Sequence, residues 1–356
     1  MGEEVPKRVR PRTTAELLAT GVTPRQLRGS KWQPSSRGMW VPAGVDTTAV
    51  DQRVIQQAVR LPPDGAVGGW AAARAHGADQ CDGVAPDGRT VLPVLLCIGT
   101  ERRIRAGAGS ELSRDPLPED DVVEIHGVRY TAEPRTCFDG MRLATDLVEA
   151  VVFADLMLHA ALLTITEMQD YIATHCGWRG VPQARAALGL ADPGSRNGWE
   201  SRMRMVWVLD AGLPRPLCNP PIFDLCGQLL GYPDLLDVSS ATVLEYDGRE
   251  HRRAIRHDRD NLREELFEEH GLVVARVTHI DFSHHDDLAR RMQRTRRRGL
   301  GRDRRQDRWS LTVPPAWVRT PAPPTTSWRR CWPRWTPTGR GALRNLRSAP
   351  LVATVA

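Results

Sequence analysis

The order of hydrophobic segments after Ser195 constrains the fold of this chain more than any other feature. Apolar periodicity, with the glycines that interrupt it, predicts helix, strand, strand, strand, helix and strand over residues 197–211, 222–225, 232–236, 241–247, 256–270 and 272–277. The final strand–helix–strand connection implies a parallel strand pair inside a mixed sheet. We therefore expect an α/β domain over residues 195–300.

Three carboxylates fall near the ends of these predicted strands. Asp234 lies in one strand and Glu245 in the next, and Glu245 and Asp247 share a face because they are two residues apart. Acids this close repel each other unless a cation or a proton joins them. Oxygen ligands suit Mg²⁺ or Mn²⁺, which can polarise a phosphate and activate a bound water. The pattern predicts a metal held by Asp234 and Glu245; the alternative is a set of solvated strand-end acids.

The segment GYPDLLDVSSATVLEYDGREH resembles the core signature of the PD-(D/E)XK nuclease superfamily, in the branch related to the very-short-patch-repair endonucleases. Pro233-Asp234 matches its first acidic motif, and the acid-x-acid-Gly run that ends at Gly248 matches the second. The resemblance covers residues 195–300 and implies a restriction-endonuclease-like mixed sheet that hydrolyses phosphodiester bonds with Mg²⁺. It also implies further site residues on neighbouring elements, namely Glu200, His251 and the Arg263 of Asp260-x-x-Arg263.

The sequence departs from the superfamily pattern at Asp247, where a lysine is usual. A lysine there would position the attacking water and stabilise developing charge. His251 is a candidate general acid or base, because its unperturbed pKa lies near neutrality, and Arg263 is a candidate source of positive charge. One hypothesis is a Mg²⁺-dependent endonuclease acting on nucleic acid, with DNA as the expected substrate. The other is a DNA-binding regulator whose nuclease domain is inactive. The catalytic set of the first is Asp234, Glu245, Asp247, His251 and Glu200.

Residues 1–48 predict a small module of two helices and a strand. Thr13-x-x-Glu16 and Thr23-x-x-Gln26 both fit the capping-box pattern. Helices over 15–20 and 24–31, followed by an extended segment, suggest a winged helix-turn-helix. Such a module would direct three basic side chains towards phosphates or bases. Helix pairs of this kind are also common in proteins that never touch DNA. The three basic side chains are Arg25, Arg28 and Lys31.

The N-terminal part of the chain is also similar to antitoxins of the AbiE abortive-infection type, which carry a winged helix. The matching segments are 23–27 (TPRQL), 38–42 (GMWVP) and 135–139 (RTCFD). The resemblance implies DNA binding by the first module and an antitoxin-like α+β region over residues 49–194. In that region we expect strands over 90–98 and 122–130, the second near a turn at His126-Gly127, and a helix over 146–158.

The net charge of +6 is unevenly distributed along the chain. Residues 290–356 contain 17 Arg and only two acids, so that this segment carries +15 and residues 1–289 carry −9. Ten of these arginines lie in residues 290–308, enough to neutralise several phosphates if they share a face. The alternative is a solvated, partly disordered tail, and residues 301–356 have the Pro-, Arg- and Trp-rich composition of one. The candidate phosphate-binding residues are Arg296, Arg297 and Arg298.

Several other classes of protein are disfavoured. The longest apolar stretch, residues 151–163, is short and interrupted by Asp155 and His159, so that we expect no membrane association. Nucleotide-binding loops of the GxGxxG and Walker types are absent. The seven cysteines form no CxxC pair, which argues against a zinc ribbon and favours the cytoplasm. A toxin partner and a homodimer both remain open.

Overall fold

The computed structural model describes residues 8–36, 38–248 and 257–315, with side chains in the last range from residue 263 onward. Helices and strands alternate along these ranges, and the strands form four sheets, two of which combine parallel and antiparallel pairs. The chain is therefore a mixed α/β protein, as the hydrophobic pattern predicts. The elements described below lie in one compact unit that ends at Leu311.

A three-stranded antiparallel sheet and two short helices form the N-terminal region. They are β1 (Arg12–Thr13), α1 (Thr14–Ala19), α2 (Pro24–Leu27), β2 (Trp32–Ser36) and β3 (Met39–Pro42), with sheet order β1–β3–β2. Both predicted capping boxes are present, and the hydroxyl of Thr13 accepts a hydrogen bond from the Glu16 N–H at 3.0 Å. α2 ends at Leu27 and is shorter than predicted, because residues 28–31 form a turn that leads into β2.

The middle region contains a five-stranded sheet of order β6–β5–β4–β8–β7. Its elements are α3 (Val50–Ala58), β4 (Ala66–Gly68), α4 (Gly69–His76), β5 (Val94–Cys97), β6 (Ser110–Ser113), β7 (Val122–Ile125), β8 (Val128–Thr131), α5 (Glu133–Arg142), α6 (Leu147–His159), α7 (Ile165–Thr174) and α8 (Val181–Leu190). The predicted strand over 122–130 is a hairpin, because His126 and Gly127 adopt the positive φ of a tight turn. Asp146 caps α6, where the sequence predicts a helix.

The C-terminal region contains the predicted succession of helices and strands. Its elements are α9 (Gly198–Met205), β9 (Leu217–Cys218), β10 (Ile222–Asp224), β11 (Leu229–Gly231), β12 (Leu235–Asp237), β13 (Thr242–Asp247), α10 (His257–Glu269), β14 (Val273–Thr278), α11 (His285–Leu300) and β15 (Trp309–Ser310). One sheet has the order β14–β13–β12–β9. β13 and β14 are parallel, which confirms the predicted pairing, while the other pairs of this sheet are antiparallel.

Helices cover both faces of that sheet. Met203 of α9 and Met292 of α11 pack with Leu244 on one face, and Phe267 of α10 packs with Val243 on the other. Alternate residues of β13 therefore enter two different apolar cores, as the twofold period of a strand requires. Glu245 and Asp247 lie on the same face of β13 as Val243, because side chains two residues apart on a strand share a face.

The strands predicted over residues 222–225 and 232–236 do not pair with each other in the structure. β10 pairs with β11, and the carboxylate of Asp224 accepts the N–H groups of Cys226 and Gln228 at 2.8 and 2.7 Å in the turn. The chain then leaves this sheet, so that β12 pairs with β13 and β9 instead. Asp234 consequently lies one residue before β12 and not within a strand.

Residues beyond 300 contribute to the same region. β15 pairs with β10, which gives a second small sheet of order β11–β10–β15, and Leu311 packs against the core beneath it. Arg302 donates to the carbonyl of Gly271, and Arg304 donates to Asp307. Residues 301–311 are therefore structured, whereas their composition predicts a tail. None of the helices in the described part of the chain is long and apolar enough to cross a bilayer.

Candidate active site

Asp234 and Glu245 lie side by side where β12 begins. The register pairs Leu235 with Leu244, so that the next residues outward on the two strands are these two acids. The Tyr246 N–H donates to the Asp234 carboxylate at 2.7 Å, which fixes this side chain against the end of β13. The sequence places the two acids in neighbouring strands, and the structure brings them together at one end of the hairpin.

Glu200 approaches the same place from the first turn of α9. Asn197 caps the helix with its side chain, and Glu200 is buried, with 4% of its surface exposed. Its carboxylate accepts three hydrogen bonds: from the Arg196 N–H at 2.7 Å, from Asn219 Nδ2 at 2.7 Å and from Asn197 Nδ2 at 2.5 Å. These three donors orient the carboxylate. Two of them are the neutral amide groups of Asn197 and Asn219, and the third is the backbone N–H of Arg196.

Asn219 joins these elements, although no motif in the sequence marks it as a site residue. Its Nδ2 group donates to Glu200 and to the Gly194 carbonyl, while its backbone N–H donates to the Asp234 carbonyl at 3.1 Å. Its φ of 49° is left-handed, a conformation that asparagine tolerates better than most residues. An asparagine followed by two prolines after a short strand is the only signal for it in the sequence.

Burial dominates the electrostatics of the carboxylate pair. Burial, together with the neighbouring charge of Asp234, raises the pKa of Glu200 to about 7, against the hydrogen bonds and the charge of Arg196 that lower it. Burial also raises the pKa of Asp234, against the Tyr246 N–H and the charges of Arg263 and Arg196. Two acids in this state titrate as a pair and favour a shared proton or a bound cation.

Arg263 of α10 supplies a cation to the third acid. Its Nη2 group donates to Oε2 of Glu245, whose side chain is only 13% exposed. Arg263 thus lies at the acidic cluster, where the lysine expected at position 247 is absent. Asp247 is two residues further along β13, half-buried, and pairs in register with Thr278 of β14. The predicted proton-transfer residue, His251, lies outside the described residues.

Aromatic side chains pack between α9 and the end of β13. Trp199 stacks on Tyr246, with ring centroids 5.4 Å apart and an interplanar angle of 10°. Phe282 and His279 pack against the other sides of Trp199, with ring centroids 5.2 and 4.9 Å away. Trp199 precedes Glu200, and Tyr246 follows Glu245, so that this stack holds both acidic residues in place through their chain neighbours.

The acids that the sequence groups together therefore converge only in part. Asp234 lies beside Glu245 at one end of the sheet and is linked to Glu200 through Asn219, and Asp247 lies further along β13. Among the residues that the structure describes, no set of three or more His, Cys, Asp or Glu side chains has the arrangement of a metal site. Asp234 and Glu245 remain a pair of neighbouring carboxylates, the number with which proteins often hold Mg²⁺ alongside water and a substrate phosphate.

The predicted nucleic-acid-binding residues fall in two separate places. Arg25, Arg28 and Lys31 are all exposed on α2 and the residues after it. In α11, Arg297 and Arg298 are exposed too, but Arg296 points inward. Their neighbour Gly299 packs against the Ser240 carbonyl, at the end of the β12–β13 hairpin opposite to Asp234.

The side chain of Arg296 is hydrogen-bonded to other side chains of the same domain. Its Nε group donates to Asp237 at 2.8 Å, and its Nη2 group donates to the Ser239 hydroxyl at 3.1 Å. Arg291, Arg302 and Arg304 are likewise bonded to Asp or carbonyl oxygens. Several of the ten arginines counted over residues 290–308 therefore stabilise the fold, which a count of charges does not reveal.

Comparison with known proteins identifies no family for this chain. No protein-family model matches it. No curated protein matches its sequence.

Proposed function

We propose that the chain is a metal-dependent endonuclease of the PD-(D/E)XK type, related to the very-short-patch-repair branch and acting on nucleic acid, with DNA as the expected substrate. The supporting observation is the meeting of Glu200, Asp234 and Glu245 at one end of a mixed sheet that is flanked by helices. A buried acid pair with raised pKa values favours a cation.

Asp234 and Glu245 would hold Mg²⁺ or Mn²⁺. Bound there, the ion would polarise the phosphate and activate a water. Glu200 completes the acidic cluster and is oriented by Asn219 and Asn197. Arg263 contributes the positive charge that the superfamily's lysine would supply, since its guanidinium already contacts Glu245. We assign Asp247 a supporting role and proton transfer to His251, on the resemblance alone.

We also propose that residues 1–48 form a winged-helix-like DNA-binding module. Two short helices followed by the β2–β3 hairpin support this proposal, and so do the exposed Arg25, Arg28 and Lys31 on and after α2. The middle region would then connect a DNA-binding module to a nuclease domain. We place the protein in the cytoplasm because the six described cysteines form no disulfide.

The second candidate is a DNA-binding regulator or antitoxin-like protein with an inactive nuclease domain. Two observations favour it: Asp247 stands where a lysine is usual, and Arg263 already neutralises Glu245. Under this proposal the acidic cluster is a structural remnant, and the protein binds DNA tightly without cleaving it.

Cleavage assays separate the two candidates. The full chain is incubated with supercoiled plasmid or single-stranded DNA and Mg²⁺ or Mn²⁺, beside Asp234→Asn and the exposed control Asp210→Asn. We expect Asp234→Asn to lose more activity than the roughly 10–100-fold that removing a supporting residue costs at metal sites, while the control cleaves normally. Binding without cleavage by the unmodified chain in either metal would establish the regulator. Unchanged cleavage by Asp234→Asn would refute the assignment of the metal ligands.

A further inference from the structure

Arg196 lies immediately before α9, at the rim of the acidic cluster. Its backbone N–H donates to Glu200, and its carbonyl accepts a hydrogen bond from the side chain of Gln80. Its guanidinium carbon lies 5.0 Å from the ring centroid of Tyr232, a cation–π contact. The backbone of Arg196 is thus fixed on both sides, and its exposed side chain rests on an aromatic ring.

The charge of Arg196 acts on the acids without being bonded to them. It lowers the pKa of both Glu200 and Asp234. Within residues 8–36, 38–248 and 263–315, no carboxylate or carbonyl accepts a hydrogen bond from its guanidinium, in contrast to Arg263, which is bonded to Glu245. Arg196 therefore has donors available for a ligand that comes from solvent.

A substrate phosphate at this site would face several negative charges. Glu200, Asp234 and Glu245 repel it, so that a bound phosphodiester needs compensating cations close by. A guanidinium offers parallel N–H donors that match two phosphate oxygens. Stacking on Tyr232 orders the side chain before the ligand arrives, which reduces the entropy lost on binding.

We infer that Arg196 binds a phosphate of the nucleic-acid substrate beside the scissile bond and holds it against Asp234 and Glu245. This inference rests on the proposed nuclease function. The competing explanation is that Arg196 only balances the charge of the buried acids, in which case its removal alters the pH profile of cleavage and leaves substrate binding unchanged.

Binding measured against salt concentration tests the inference. A short fluorescein-labelled DNA duplex and the matching single strand are titrated by anisotropy with Ca²⁺ in place of Mg²⁺, and cleavage is measured in Mg²⁺. The variants are Arg196→Gln, Arg196→Lys and the control Arg103→Ala, an exposed arginine between β5 and β6. Arg196→Gln keeps a polar stem over Tyr232 and leaves the backbone contacts intact.

We expect Arg196→Gln to bind DNA about tenfold to hundredfold more weakly, with a salt slope of log K smaller by about one. Arg196→Lys should keep the slope and recover part of the affinity, because a lysine retains the charge without the paired donors. KM should rise more than kcat falls, and Arg103→Ala should behave like the unmodified chain.

Two results overturn the inference and differ in what else they refute. If the unmodified chain cleaves DNA while Arg196→Gln binds with unchanged affinity and slope, the phosphate role is wrong and the nuclease function stands. If the unmodified chain neither binds nor cleaves DNA, the inference and the proposed function are both wrong.

Discussion

Two of the charge clusters in the described part of this protein are built differently. In the middle region, Asp139 lies between Arg135 and Arg142 and accepts from their Nε groups at 2.8 and 2.7 Å. All three side chains are at most 1% exposed, and both guanidiniums also contact the ring of Trp178. In the C-terminal region, Glu200 is buried and Asp234 is half-buried near it, and their hydrogen bonds come from backbone N–H groups and asparagine side chains.

Under the proposed function, this difference distinguishes structural acids from catalytic ones. Asp139 is matched by arginines on both sides, so that its charge is satisfied within the fold. Glu200 and Asp234 have raised pKa values, because burial, joined at Glu200 by the charge of Asp234, exceeds the opposing effect of the hydrogen bonds and of the charges of Arg196 and Arg263. Acids with strongly perturbed pKa values are typical of functional sites.

Of the variants that test this comparison, we expect Asp139→Asn to lower the free energy of unfolding the most. This change removes the charge that both Nε groups bond, so that, among the described carboxylates, Arg135 keeps only Asp121 and Arg142 keeps only Asp115. Breaking a buried ion pair costs about 3–5 kcal/mol. Urea unfolding measures the loss, with the exposed Asp170→Asn as the control. DNA cleavage per folded molecule should stay normal. A loss below about 1 kcal/mol would show that the middle cluster is not the structural one.

The second expected effect is a pH dependence of folding stability that is due to Glu200. Its pKa is raised in the folded protein, so that the stability contributed by the protonated carboxyl is present below about pH 4.5 and is lost as the pH rises through about 7. A glutamine at this position does not titrate. The stability of the unmodified chain relative to Glu200→Gln should therefore fall by up to about 3 kcal/mol between about pH 5 and about pH 8.

Urea unfolding at both pH values measures this difference. The exposed Glu268→Gln corrects for the general effect of removing a negative charge. A relative stability that stays constant, or that rises with pH, would contradict the raised pKa and with it the contrast between the two clusters.

The smallest effect concerns the arginines of α11. Arg296→Ala removes the bonds to Asp237 and Ser239, and we expect a loss of about 1–2 kcal/mol because Asp237 is largely buried. The exposed Arg297→Ala should change stability by less than about 0.5 kcal/mol. Thermal or urea unfolding compares the two variants. Equal losses of stability would show that the pairing of Arg296 with Asp237 does not stabilise the fold.

Much of the C-terminal fold can be predicted from the sequence. β13, α10 and β14 begin and end within one residue of the predicted bounds, because apolar runs there are cut off sharply by glycines or acids. The hairpin partner of β10 is β11, which lies between the two strands that the sequence predicts over residues 222–225 and 232–236. Alternation shows that a segment is a strand, but not which sheet it joins, and the change of sheet after Gly231 leaves no mark in the pattern.

The candidate site is predictable to a similar extent. The motif indicates Glu200, Asp234 and Glu245, and the structure places Asp234 beside Glu245 and links it to Glu200 through Asn219. Asn219 and Arg196 lie in loops without periodicity, so that only three-dimensional contacts indicate them. Arg296 shows the limit of charge counting, since its bond to Asp237 joins residues that are far apart in the sequence.

The connection between β12 and β13 has a consequence for chain length. Only residues 238–241 separate Asp237 from its partner Thr242. From that pair the two strands pair residue by residue, which brings Asp234 opposite Glu245. A single inserted residue in this connection would turn Glu245 to the opposite face of the sheet. We therefore expect insertions and deletions to be excluded from this short loop in any protein that keeps both carboxylates, even where its surrounding loops vary freely.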